Sequence, residues 1–180
     1  KSIFISSNSI HGFNLNNTSP FDENTKLSPY LEYGLSKKLI EDEIKNKMHL
    51  YDMTIIRAPW FYGLNQPVRQ TEFFKMIKKN KFPIIGNGDN LRSMVYIDNL
   101  VEGISRASSS NNSKSQTYWI ADEKPYSMNE IVSTIKNIYR NELDIIIPNY
   151  SELRPLPHHL LVRLRYHLHQ RMLTLSPHFL

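Results

Sequence analysis

The chain has 180 residues, 40% of them hydrophobic and 22% charged, with a formal net charge of +5. That length supports one domain with a real core, and the composition is that of a globular protein. No apolar run reaches roughly 18 residues, which excludes a transmembrane helix, and the absence of cysteine excludes disulfides, cysteine zinc sites and a thiol nucleophile. Lys1–Ile5 is too short for a signal peptide and polar residues follow it, so a cytoplasmic setting is expected. The charge is uneven: residues 151–180 hold four Arg against one Glu, and five of the seven His. A nucleic-acid reading would rest on that tail alone, and no nucleic-acid partner is expected.

Ser2–Ile5 reads as the end of a buried strand, with Ser6-Ser7-Asn8-Ser9 at its carboxyl end. In open α/β sheets, chemistry sits outside the carboxyl ends of strands. Residues 13–29 are polar and read as a surface loop. A helical run follows from Tyr33 to about Met48, and Leu35, Leu39, Ile40 and Ile44 are expected to form its buried face. Within it, Tyr33 and Lys37 are four residues apart, a little over one turn, and share a face. A fixed cation beside a phenol stabilises the phenolate. Tyr33 would then serve as a proton donor or acceptor for a substrate oxygen.

Met53–Ile56 is a second β-branched strand, so strand, helix and strand predict a parallel βαβ unit with a right-handed crossover. Thr71–Lys79 reads as a short amphipathic helix, Phe82–Ile85 as a short strand and Gly86–Asp89 as a turn. Arg92–Asn99 is extended and runs into a helix capped by Asp98 or Asn99 and ending near Ala107. Thr117–Ile120 is a strand. Ser127 and Glu130 form a capping box for a helix to about Arg140 that buries Ile131, Ile135 and Ile138. Leu143–Ile147 is a last strand candidate. In the tail, leucines at helical spacing predict an amphipathic helix docked on the body rather than on a membrane. The pairs His158-His159 and His167/His169 do not make a metal site: positions i and i+2 diverge on a helix, and no acidic cluster joins them.

Four stretches, in order, resemble one family. Ile5-Ser6-Ser7-Asn8-Ser9-Ile10-His11-Gly12 resembles the Ser-Ser-x-x-Val-Tyr-Gly stretch of the extended short-chain dehydrogenase/reductases, the NAD-dependent epimerase/dehydratase family. Tyr33-Gly34-Leu35-Ser36-Lys37, with Glu41 beyond, resembles its Tyr-x-x-x-Lys helix. Arg57–Gly63 resembles its Arg-Pro-x-x-x-Tyr-Gly segment, and Gly86–Asp89 with Arg92–Asn99 its Gly-x-Gly…Arg-x-x-x-Tyr-Val-Asp-Asp segment. The match covers about residues 1–150.

The resemblance implies an α/β fold: the carboxyl-terminal part of a Rossmann-type doubly wound parallel sheet, plus a small α/β substrate-binding region. Residues 1–62 would belong to the NAD(P)-binding domain and 63–95 to the substrate region. Residues 96–110 would be a helix returning to the first, 111–150 substrate region again, and 151–180 a basic amphipathic tail without assignment. It implies NAD or NADP as cofactor and a nucleoside-diphosphate sugar as substrate. Tyr33 would be the general acid/base, Lys37 would hold the nicotinamide ribose and lower the Tyr33 pKa, and Ser7 would orient the substrate oxygen. Pro59 would touch cofactor, Trp60 substrate, and Arg92 the substrate diphosphate. A homodimer would pair through the Tyr33 helix.

The departures bear on chemistry. His11 replaces the family's Tyr, and Trp60 stands where many sugar-nucleotide enzymes have Asn. An apolar Trp60 wall also fits a reductase of a hydrophobic alcohol or ketone. The family's Gly-rich phosphate loop is missing from this sequence, so the chain is expected to be the carboxyl-terminal portion of a longer enzyme, or else a non-catalytic fragment unable to bind cofactor.

Overall fold

The computed structural model of the chain describes residues 1–13 and 20–141. The strand candidate Leu143–Ile147 and the tail from Ser151, with its helix and histidine pairs, lie outside the described residues. The chain divides into two compact units. The first is Lys1–Phe61 with Ile97–Ala121; the second holds Tyr62–Tyr96 and the residues from Asp122 onward.

The first unit is built on a three-stranded sheet. Its strands are β1 (Ser2–Ser7), β2 (Met53–Ala58) and β6 (Thr117–Trp119), in the order β1-β2-β6. Both pairings are parallel. The helix α1 (Glu32–Lys47) connects β1 to β2, the expected βαβ unit. β2 is buried along nearly its whole length because a central parallel strand is covered on both faces. After β2, β3 (Trp60–Tyr62) leads toward the second unit. Helix α3 (Ile97–Ser109) packs on β1 and β2 through Leu100, Gly103 and Ala107. It starts directly at Ile97, so Asp98 lies in its first turn rather than at the cap.

The amphipathic reading of α1 is overturned. Leu35, Leu39 and Ile40 are 48%, 59% and 44% exposed; the buried residues are Gly34, Glu41 and Ile44. The helix is held by close approach and by charge, not by an apolar stripe. A Cβ on Gly34 would overlap the Ser9 carbonyl oxygen, so glycine lets the first turn of α1 sit directly on the backbone of the turn that follows β1. That turn is a short 3-10 segment, Asn8–His11. It ends at Gly12, whose φ of 70° is open to glycine at little cost.

The second unit packs α2 (Val68–Lys78) against α4 (Met128–Asn141). Its core includes Tyr62, Ile77, Met94, Val95, Ile131 and Ile135. β4 (Leu91–Arg92) pairs antiparallel with β7 (Tyr126–Ser127), and β5 (Met94–Tyr96) pairs with β3. The capping box forms as read: Ser127 N donates to Glu130 Oε2 at 2.8 Å, and Glu130 N to Ser127 Oγ at 3.1 Å. Val132 is buried beside Ile131 and Ile135, whereas Ile138 is only half-buried. Phe82–Ile85 is not a strand. Pro83 lacks the ladder donor, and Ile85 is 86% exposed.

Gly34→Ala should destabilise the first unit by about 1–3 kcal/mol, the range for forcing a side chain into packed space. Denaturant midpoints of the two proteins check this, and equal midpoints would show that the helix has room to shift.

Candidate active site

Ser7 ends β1 and caps the 3-10 turn that follows. Its Oγ accepts from Ser9 N at 3.3 Å and from Ser9 Oγ at 3.0 Å. The two hydroxyls thus stand together at the carboxyl end of the strand. Tyr33 occupies the first turn of α1 and is 59% exposed. Lys37 is half-buried one turn later; its Nζ donates to the Ile5 carbonyl at 3.0 Å and lies 4.9 Å from the centre of the Phe4 ring and 5.9 Å from that of Tyr33. The Tyr33–Lys37 pair is therefore tied to β1 two residues before Ser7. Pro59 is buried just after β2 and Trp60 is half-buried at the start of β3. These five residues lie in the first unit, at or near the carboxyl ends of β1 and β2, whose register places Ser7 opposite Ala58.

Arg92 belongs to the second unit, in β4. Partial burial of its guanidinium and the like charge of Arg69 both pull it below the ordinary arginine range. Two guanidinium groups in one neighbourhood repel each other and attract an anion.

Beneath the Tyr33 helix lies a polar cluster that the motifs did not assign. Arg57 on β2 and Glu41 on α1 are 1% and 0% exposed. They meet as a fork: Nε to Oε1 at 3.2 Å and Nη2 to Oε2 at 2.8 Å. Lys45 Nζ stands 3.5 Å from the same carboxylate. Arg57 Nη1 donates to the Glu23 carbonyl at 3.0 Å and lies 3.4 Å from His11 Nε2. Burial works to raise the Glu41 pKa, but Arg57 outweighs it and holds the carboxyl below its ordinary value. His11 stacks on Phe21 at 4.8 Å and tilts against Trp119 at 5.2 Å. Burial, then the Arg57 charge, push its pKa down to about 4, so the imidazole is neutral at pH 7. Only the neutral ring can accept from Arg57, which has no acceptor of its own. One signal of this cluster was in the sequence: Arg57 is a lone charge in an apolar strand, and such a charge must find a partner.

Asp122 is a half-buried carboxyl outside the motifs. Tyr62 Oη donates to Oδ2 and Tyr96 N to Oδ1, both at 3.4 Å. Bonds that long are weak, so burial prevails and the carboxyl is pushed up to about 6. A cavity of about 40 Å³ is lined mainly by apolar and aromatic side chains, Tyr62, Met94, Tyr126 and Ile131 among them, with Glu130 and Thr134. Among the described residues no cluster of His, Cys, Asp or Glu has the makings of a metal site. No helix of the described residues is long and apolar enough to cross a membrane.

The fold and the strand-end site have a family. Residues 1–121 match the NAD dependent epimerase/dehydratase family, and the chain belongs to it. The chain is 42% identical over 153 residues to the protein y4nL of Sinorhizobium fredii, covering 83% of this chain and 43% of that one. It is 30% identical over 138 residues to N-acetyl-alpha-D-glucosaminyl-diphospho-ditrans,octacis-undecaprenol 4-epimerase of Escherichia coli O157:H7, covering 74% and 41%. Among solved structures it resembles UDP-glucuronic acid 4-epimerase of Bacillus cereus in complex with NAD, with a TM-score of 0.63 and 25% identity over 78% of this chain and 47% of that one. The chain spans less than half the length of these relatives.

Asp122 titrates near 4 in an unfolded chain and about 6 in the fold. The folded second unit therefore holds a proton that the unfolded chain has released across that window. The stability this contributes is present below about pH 4 and is lost as pH rises through about 6. Asp122→Asn should remove that slope. Urea midpoints at pH 4 and 6.5 check it, and identical pH dependence in both proteins would mean that Asp122 titrates as a surface carboxyl does.

Proposed function

We propose that the chain supplies the proton-transfer and substrate-facing part of an NAD(P)-dependent epimerase or dehydratase acting on a nucleoside-diphosphate sugar. The observation that carries this is the docking of the Tyr33–Lys37 turn on the carboxyl end of β1. Lys37 is fixed on the Ile5 carbonyl, and Gly34 lies against Ser9. The helix turn that carries Tyr33 and Lys37 thus adjoins the turn that carries the Ser7 and Ser9 hydroxyls. That donor set suits the nicotinamide end of a dinucleotide and one substrate oxygen.

In this reading Lys37 holds the ribose hydroxyls, with Pro59 forming wall beside the cofactor. The bound nicotinamide supplies a hydride acceptor and donor. Tyr33 takes the proton from the sugar hydroxyl oxygen as that carbon is oxidised and returns it when the carbon is reduced. Ser7 hydrogen-bonds the same oxygen, so charge developing on it meets two fixed donors. Arg92 binds the diphosphate, and Arg69 joins it. Trp60 lines the sugar side. The exposed Leu35, Leu39 and Ile40 are the face a second copy would cover in a dimer.

Tyr33→Phe should lower kcat for NAD-dependent turnover of a UDP-sugar at least ~100-fold, the low end for general acid–base catalysis, with nucleotide binding kept. Turnover within about threefold of the unaltered protein would take the proton-transfer role from Tyr33. Arg92→Gln should raise the Kd for UDP roughly tenfold, in keeping with a charge-assisted hydrogen bond. Calorimetry reads this directly; an unchanged Kd would favour the apolar alcohol or ketone that Trp60 also fits.

A further inference from the structure

We propose that Arg57 is the positioning residue of the proton-transfer site, acting through Glu41 on the Tyr33 helix and through His11 on the Ser7 turn. This rests on the functional reading above and goes beyond it, because none of the three side chains carries a role in that chemistry. Arg57 lies on β2, two residues before Pro59 and opposite Ser6 of β1. Its guanidinium touches α1, the Glu23 carbonyl and the Asn8–His11 turn at once.

The rest of the packing leaves that task open. Helix α1 has no side-chain cap at Leu31 and turns its apolar stripe outward, so few apolar contacts define its rotation. A planar fork does define it. Two parallel bonds to the Glu41 carboxylate fix an angle as well as a distance, and Glu41 lies two turns beyond Tyr33 on the same helix. The remaining nitrogen faces the other half of the site, donating to the Glu23 carbonyl at 3.0 Å and lying 3.4 Å from His11 Nε2. His11 is the last residue of the turn that Ser7 caps. Held between Phe21 and Trp119, with Nε2 facing Arg57, it sets where that turn ends. The spacing of Ser7 from Tyr33 is thus set on the buried side, from one side chain. Misplacement of a reacting group by about 1 Å costs on the order of 100-fold in rate, so such a device has kinetic consequences. His11 stands where the family's stretch carries Tyr, so the acceptor in this arm departs from the family pattern.

The test combines kinetics with backbone amide exchange on Glu41→Gln, His11→Phe and Tyr33→Phe. Glu41→Gln should lower kcat at least about tenfold while KM stays within about threefold. The double variant with Tyr33→Phe should lose no more than Tyr33→Phe alone, since both act on one proton transfer. Losses that multiply overturn the positioning role. Amide exchange over Ser7–Gly12 should quicken at least about tenfold in both Glu41→Gln and His11→Phe, and unchanged exchange there overturns the link. Should Tyr33→Phe alone leave turnover intact, the proton-transfer reading falls, and the exchange result still decides whether Arg57 joins the two elements. If Glu41→Gln does not fold, His11→Phe decides, because it keeps a ring between Phe21 and Trp119 and loses only the acceptor.

Discussion

A guanidinium and a carboxylate, both withdrawn from water, face each other across the sheet–helix interface of the first unit: Arg57 and Glu41. Taking two ions out of water costs several kcal/mol each, and their attraction offsets it only when every remaining donor is satisfied. Here each guanidinium nitrogen has a partner, while His11 Nδ1 is buried without one among the described residues. The fork is bidentate, the third nitrogen has the Glu23 carbonyl and His11, and Lys45 adds a further cation to the carboxylate. Such a pair is weak evidence for net stability. It is strong evidence for uniqueness, because any other rotation or register of α1 would leave a charge buried and unpaired.

The unusual surface of α1 follows from that constraint. An ordinary amphipathic helix lays its leucines on the core. In α1 the inward face carries Gly34, Glu41 and Ile44, with Lys37 and Lys38 half-buried, and the leucines point away. Glycine permits backbone contact at one end, and the ion pair anchors the other. The helix can then present Tyr33 and Lys37 at the strand ends without a bulky side chain intervening. A helix seated by Leu35 and Leu39 instead would be turned well away from this orientation, since those positions are offset on the helical wheel from Gly34 and Glu41.

This explains how much of the molecule was legible in its sequence. β-branched runs located β1, β2 and β6, and the Ser127–Glu130 box located the start of α4, because those signals are local. The motif residues Ser7, Tyr33, Lys37, Pro59 and Trp60 all come to strand ends or the helix turn beside them, as a βαβ unit requires. The face of α1 was misjudged because periodicity assumes that burial is apolar, and here it is polar. Phe82–Ile85 has strand composition, but Pro83 within it removes a ladder donor, a local signal that the apolar run outweighed in the reading. Asp122 was missed because it sits beside Glu123 and Lys124 in sequence, and only the fold places it against Tyr62 and against Tyr96 at the end of β5. Arg57 was missed although part of its signal is local: a single charge within Thr54–Ala58 implies a buried partner, but the helix between the strands offers Glu32, Glu41, Asp42 and Glu43, and only the fold selects Glu41.

The two units also answer acid in opposite ways. His11, in the first, has its pKa pushed down to about 4 in the fold, against about 6.5 in an unfolded chain. Below that unfolded value the unfolded chain binds a proton that the fold refuses, so the stability of this unit declines as pH falls toward 4. Asp122, in the second, does the reverse over nearly the same window. Their slopes oppose each other between about pH 4 and 6, so a measurement on the whole chain reads a small difference of two larger effects. Protonation of His11 sets an imidazolium 3.4 Å from the Arg57 guanidinium, and the resulting repulsion falls on the Ser7 turn.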